Sequence, residues 1–317
     1  MSLEKRQLIE REVTRMHRLT GIALLTLVCY AGVSRRTWRE WQERREAETK
    51  HNGQIPREHW LTPEEREAIA VYCQDHLDKG YRVLCWEMVD KDIAAVSPSS
   101  VYNVLQRTGL TKKWAELAEE QKQGFEQPKA VHEQWHIDFS YIRICDVFYY
   151  FISILDGYSR KILLWSLCRN MEGLNAEILI TRAKELYLEA RPRIINDNGG
   201  QLISKDFREL VSLLEFQQTF TSAAHPQSNG KLERFHRTLK TEHVRQTAYL
   251  SYEDAEKRMA HWIQYYNTER LHSAIWYLTP EEIFQGKATE RIAERREKLH
   301  TACINRQAYW QRLSAGV

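Results

Sequence analysis

Three acids stand out for what surrounds them: Asp138 in WHIDFS (135–140), Asp197 in IINDNGGQ (194–201) and Glu233 in KLERFHRTLK (231–240). Residues 198–232 separate the last two, a gap of 35 that means little by itself in a chain with 43 Asp and Glu among 317 residues. The neighbouring letters carry the information. Asp138 sits in an aromatic, β-branched run where an uncompensated charge is costly, which implies a ligand or partner. Asp197 ends an apolar run before Asn198, Gly199 and Gly200; the alternative there is a turn aspartate bonded to its own backbone. Glu233 follows the turn-forming letters HPQSNG (225–230) and opens a basic, helix-compatible segment. Arg237 and Lys240, four and seven positions on, share its helix face, and Lys231 and Arg234 flank it. Most helical glutamates are simply solvated, but one acid among stacked bases suits a metal beside a phosphate backbone.

Carboxylate oxygens suit Mg²⁺ or Mn²⁺. Two such ions about 3.5 to 4 Å apart can activate an attacking oxygen and stabilise a leaving one in phosphodiester cleavage or transfer. Three acids supply the charge to hold such a pair. Without metal their repulsion raises at least one carboxylate pKa, so metal should stabilise the fold. Asp156, in DGYSR, reads instead as a turn residue. His136 and His236 read first as packing or hydrogen-bonding side chains, with catalysis the lesser alternative.

The elements that would position these acids alternate. WHIDFSYI, VFYYFISIL and KILLWSL read as three strands, with Asp156, Gly157 and Tyr158 turning the second into the third. A helix from Leu174 to Leu188, a short strand in RPRIIND, a helix from Lys205 to Leu214, a strand from Phe216 to Thr221 and a helix from Lys231 to His243 follow. That order predicts an α/β layout with an antiparallel hairpin on a partly parallel sheet.

With these residues in place, the chain resembles the DDE transposases and retroviral-type integrases, in particular bacterial insertion-sequence transposases with an integrase-like catalytic core. The resemblance covers Glu133 to Gly286 and is strongest from Asn196 to Lys240. It implies a ribonuclease-H-like fold in which acids on the first and fourth strands and on a following helix converge at one sheet edge. Asp138 would bridge two ions, Asp197 would hold one and Glu233 the other. Water would attack at the element end to free a 3′ hydroxyl, which would then attack target DNA, with no covalent protein intermediate. Lys240 matches a basic residue that contacts the DNA end in this family, and His225 to Gly230 resemble the loop before its helix. YYNTERLHSAIWYLTPEEIF (265–284) resembles the segment closing such cores, where Arg270 and His272 would touch DNA or cap the fold. The implied partners are double-stranded DNA, as element ends and target, and further copies of the chain; the implied location is cytoplasmic, at the nucleoid. Retroviral integrases carry a His/His/Cys/Cys domain in front; no such spacing occurs here, so no structural zinc is expected.

All-α modules precede the core. From Leu24 onward an apolar helical pattern breaks at Ala31, Gly32 and Val33 and resumes as SRRTWREWQERR. Ser34 can cap the second helix and place Arg35, Arg36 and Arg39 in its first turns, where a helix-turn-helix meets phosphates and base edges. The bland alternative is a solvated hairpin with Trp38 and Trp41 inside. The boundaries expected are a helix-turn-helix DNA-binding module over 1–50, a second helical module of similar kind over 58–110, opening on the capping pattern TPEE, a linker helix over 111–132, the catalytic core over 133–286 and a basic helical tail over 287–317. The tail would bind DNA, a second subunit or nothing.

Composition agrees without deciding. Hydrophobic residues at 43% and charged residues at 28% are globular values, and a net charge of +3 permits nucleic-acid binding. Six cysteines without a CxxC pair fit reduced thiols. The apolar run Ile22 to Val33 is too short to span a bilayer, and neither a membrane nor export is expected. The expected function is thus metal-dependent cleavage at element ends and strand transfer. The alternatives are a regulator or inhibitor of transposition with an inactive core, and a ribonuclease-H-type nuclease.

Overall fold

The computed structural model describes residues 3–43, 57, 59–110, 127–196, 199–220 and 230–315. The expected helix WAELAEEQK of the linker lies outside these. The chain divides into two compact units, Met1–Trp60 with Arg306–Val317, and Leu61–Asn305.

The first unit contains α1 (Leu3–Thr20), α2 (Leu24–Tyr30) and α3 (Arg35–Glu43). Val13, Val28, Val33, Trp38 and Trp41 close its core. Ser34 caps α3 by accepting from the Thr37 N–H at 3.0 Å. Helix α1 was not anticipated, although Ile9 and Val13, four apart, pack on that core.

The second unit begins with three helices: α4 (Pro63–Gln74), α5 (Tyr81–Asp90) and α6 (Pro98–Arg107). Thr62 and Glu65 form a reciprocal capping box at the start of α4, and Ser97 caps α6 ahead of Pro98. Ile69, Leu84, Cys85, Met88 and Val101 fill the space between them.

The region expected to form the catalytic core follows, with β1 (Gln134–Ile144), β2 (Val147–Asp156), β3 (Ile162–Cys168), α7 (Gly173–Leu186), β4 (Arg193–Asn196), α8 (Lys205–Leu213), β5 (Gln217–Phe220), α9 (Gly230–Glu242), α10 (Tyr252–Thr268) and α11 (Pro280–Phe284). The strands form one sheet in the order β3-β2-β1-β4-β5. The first three strands are antiparallel, while β4 and β5 run parallel to β1. Alternation along β1 sends Trp135 and Ile137 into one core with α7 and α8, and Ile142 and Ile144 into the other with α9 and α10. The fold is therefore the three-layered α/β sandwich of the ribonuclease-H-like class, preceded by helical modules. Helix α10 also escaped the sequence reading, yet Ser251 caps it and Ala255, Met259, Trp262, Ile263 and Tyr266 repeat at helical spacing on its buried face.

The tail expected over 287–317 is α12 (Ala288–Ala315). Three of its cations are engaged within the second unit. Arg295, 4% exposed, grips Asp90 with two hydrogen bonds of 2.8 and 2.6 Å, and Arg291 pairs with Glu282 and Asp90. Lys298 reaches Asp92 and the Val89 carbonyl. Among the described residues, no helix is long and apolar enough to cross a membrane.

Candidate active site

Asp138 occupies the middle of β1 and pairs across the sheet with Ser153 of β2. Its side chain is 18% exposed, and Oδ1 accepts the Phe139 N–H at 2.7 Å. Helix α9 lies over this part of β1. On it His236, buried, turns Nδ1 toward Asp138 Oδ2 at 3.8 Å and Nε2 toward Ser153 Oγ at 3.5 Å. Burial, and then the Lys240 ammonium, push the His236 pKa down to about 3. The 3.8 Å approach to Asp138 is longer than a hydrogen bond.

Glu233 stands one turn before His236 in the first turn of α9, exposed to solvent. Residues three and four apart on a helix are neighbours, so Glu233 lies beside His236 on α9, with Lys240 one turn further on. Lys240 is half-buried. Its pKa is lowered by burial and by Arg245, against the opposing pull of the Asp138 carboxylate. Arg234 and Arg237 are exposed on the same helix.

Lys231 departs from expectation. Its ammonium turns inward and donates to the Gly157 carbonyl at 2.9 Å. Burial, and then the neighbouring Arg160, push its pKa down to about 7, against Asp156 and Glu133. It ties α9 to the β2–β3 turn and does not stand with the exposed cations.

That turn is built by Asp156. Fully buried, its carboxylate accepts from the His132 N–H at 2.8 Å and from the Ser159 N–H and Oγ–H, each at 2.7 Å. Gly157 is required beside it, because a Cβ there would lie 3.0 Å from His136 Nε2 and 3.1 Å from the Gln134 carbonyl. His136 is thus packed under the turn, 1% exposed.

Strand β4 pairs with β1 in parallel and ends at Asn196, the residue before Asp197; Gln218 Nε2 donates to the buried Asn196 Oδ1 at 3.0 Å. Asp197 lies outside the described residues, as do residues 221–229. Among the described residues no group of three or more His, Cys, Asp or Glu gathers into a metal site. Asp138 and Glu233 are two of the three acids expected, and their carboxylate oxygens suit a hard divalent cation.

Arg270 makes a two-pronged bridge to Glu242 at 2.8 and 2.6 Å. Burial, and then Arg270, push the pKa of His272 down to about 3. In the first unit Arg35, Arg36 and Arg39 are all exposed on α3, and Arg36 pairs with Glu40 at 3.0 Å. Ser153 was missed; the signal was one hydroxyl among the apolar letters FISIL.

A mixed five-stranded sheet, with one acid on its first strand and another on the helix crossing it, defines a ribonuclease-H-like core of the polynucleotidyl-transferase class. The sequence comparisons agree: the "Integrase core domain" family matches residues 128–226 and again 214–280. The chain is 30% identical over 142 residues to the "Insertion element IS136 uncharacterized protein" of Agrobacterium tumefaciens (strain T37), covering 43% of this chain and 73% of that one. It is 26% identical to the transposase for IS904 of Lactococcus lactis, covering 48% and 61%, and 26% identical to transposase InsF for IS3A of Escherichia coli K12, covering 49% and 54%. It therefore spans just over half the length of the two named transposases. The chain belongs to the DDE transposase/integrase superfamily, among the transposases of bacterial insertion sequences. Similar solved structures are a simian T-cell lymphotropic virus intasome (14% identity, TM-score 0.46, 68% of this chain and 74% of that one) and the HTLV-2 integrase catalytic core (15%, 0.40, 49% and 98%).

Proposed function

We propose that the protein is a DNA transposase that binds the ends of its element, cleaves them to free 3′ hydroxyls and joins those ends to target DNA. The observation that carries this reading is helix α9, which bears an exposed glutamate at 233 and cations at 234, 237 and 240 and crosses the strand that bears Asp138.

Asp138, Asp197 and Glu233 would hold Mg²⁺ or Mn²⁺, two ions per site. Bound there, the metal activates the attacking oxygen and stabilises the leaving one. The side chains do the rest. Arg234, Arg237 and Lys240 hold the backbone of the DNA end beside the acids. In the first unit, α2, the turn at 31–34 and α3 act as a helix-turn-helix that presents Arg35, Arg36 and Arg39 to the DNA. Bringing two ends together requires several copies of the chain.

The test is cleavage of labelled duplex DNA bearing the element ends, beside an RNA:DNA hybrid of equal length, in Mg²⁺ and in chelator. Metal-dependent cutting at the DNA ends supports transposition. Cutting of the hybrid alone replaces it with a ribonuclease-H-type nuclease, and tight end binding without products points to a regulator.

A further inference from the structure

The side chains of Ser153, His236 and Asp138 meet on one face of the sheet. Asp138 and Ser153 are directly opposed on β1 and β2, and cross-strand partners hold their Cβ atoms about 5 Å apart. His236 reaches down from α9 between them, Nδ1 3.8 Å from Asp138 Oδ2 and Nε2 3.5 Å from Ser153 Oγ. The ring has little freedom. It is 6% exposed, and it stands edge-on to Phe151 at 6.1 Å and 86°. Ser153 is fully buried.

Hydrogen-bond chemistry then fixes the protons. A carboxylate can only accept, so a hydrogen bond from His236 to Asp138 requires the hydrogen on Nδ1. With the hydrogen on Nδ1, Nε2 is the ring's acceptor, and the Ser153 hydroxyl beside it donates. We infer that Ser153 and His236 form a positioning relay, Ser153 Oγ–H to Nε2 and Nδ1–H toward Oδ2, that aims the Asp138 carboxylate at the metal. Oδ1 is already tied to the Phe139 N–H at 2.7 Å, so the relay acts on the second oxygen. The nitrogen–oxygen distance of 3.8 Å is longer than a hydrogen bond, and the relay requires the Asp138 side chain to close it. Partners of this kind around metal-ligating groups typically change metal affinity 10- to 100-fold when removed.

This inference rests on the metal-site reading above, and the experiment separates the two. Mn²⁺ alone is titrated calorimetrically into the full-length wild type and the variants Ser153→Ala, His236→Asn, His236→Gln and Asp138→Asn. An asparagine amide sits where Nδ1 was and keeps the donor; a glutamine amide reaches to Nε2 and does not. The relay predicts that His236→Gln weakens Mn²⁺ binding by about tenfold or more. His236→Asn stays within about threefold of wild type, and Ser153→Ala falls between. Equal losses in the Asn and Gln variants, or unchanged affinity in both, overturn the relay. If neither His236 variant folds, Ser153→Ala decides, and wild-type affinity there overturns it. A wild type that binds no Mn²⁺, or Asp138→Asn binding as well as wild type, removes the metal site and the relay with it.

Discussion

Asp156 is the acid that most nearly competes with Asp138 for a place in the site, and the structure separates their roles by burial. Replacing Asp156 with Asn preserves shape and removes one acceptor. The amide oxygen can keep the two donors from Ser159 at 2.7 Å, but the NH₂ group then faces the His132 N–H, now 2.8 Å from Oδ2. A hydrogen bond to a charged group contributes about 1.5 to 3 kcal/mol, and a stranded donor adds a further cost. Lys231 and Arg160 lose a facing carboxylate as well. The expected loss of stability is about 3 kcal/mol. Urea denaturation followed by circular dichroism measures it. Asp138→Asn, at a partly solvated position, should shift the same transition by less than about 1 kcal/mol. The reasoning fails if Asp156→Asn is as stable as wild type and instead abolishes Mn²⁺ binding, which would make Asp156 a ligand.

Other expectations follow from the same contacts. His272, held neutral with its pKa near 3, is protonated far more readily when unfolded, where the value is about 6.5. The unfolded chain therefore binds the extra proton first, and the stability present above about pH 6.5 is lost as pH falls toward 3. At pH 5 the loss from this ring is about 2 kcal/mol. His272→Gln should flatten that part of the profile, and an unchanged slope would discount the ring. Asp90→Ala strands the buried Arg295 without its carboxylate and should cost about 3 kcal/mol; a loss under about 1 kcal/mol would make α12 a passenger. Burial pushes the thiol of Cys73 up to about 11 and that of Cys85 up to about 12, whereas Cys29 and Cys145 are exposed. A thiol reagent should thus label Cys29 and Cys145 quickly in the native protein and the other two only on unfolding.

The order of elements in the core was legible because each carries a plain local signal. Alternating aromatic and β-branched letters marked β1 to β3, Asp156-Gly157 marked their turn, and Gly199-Gly200 marked the end of β4. Asp138 and Glu233 stood out by contrast with their surroundings, one a charge in an apolar strand, the other an acid in a basic helix. Side-chain direction was not legible. Lys231 and Lys240 look alike as letters, yet only Lys240 lies toward Asp138, while Lys231 bends back to the Gly157 carbonyl. The basic letters of α12 gave no hint that Arg295 would be taken up by Asp90, which lies 205 residues away, or that Arg291 would turn back to Glu282 on the preceding helix. The meeting of Ser153 with His236 depends on strand register and helix placement together, which no local pattern encodes.

The most direct test joins pre-cut labelled element ends to a target plasmid in Mg²⁺, using wild type, Asp138→Asn, Asp197→Asn and Glu233→Gln, with end binding measured on the same samples. The account predicts joined products from wild type alone and unchanged binding in all four. Products from any of the three variants, or loss of binding in all of them, would contradict the claim that these acids form the catalytic centre.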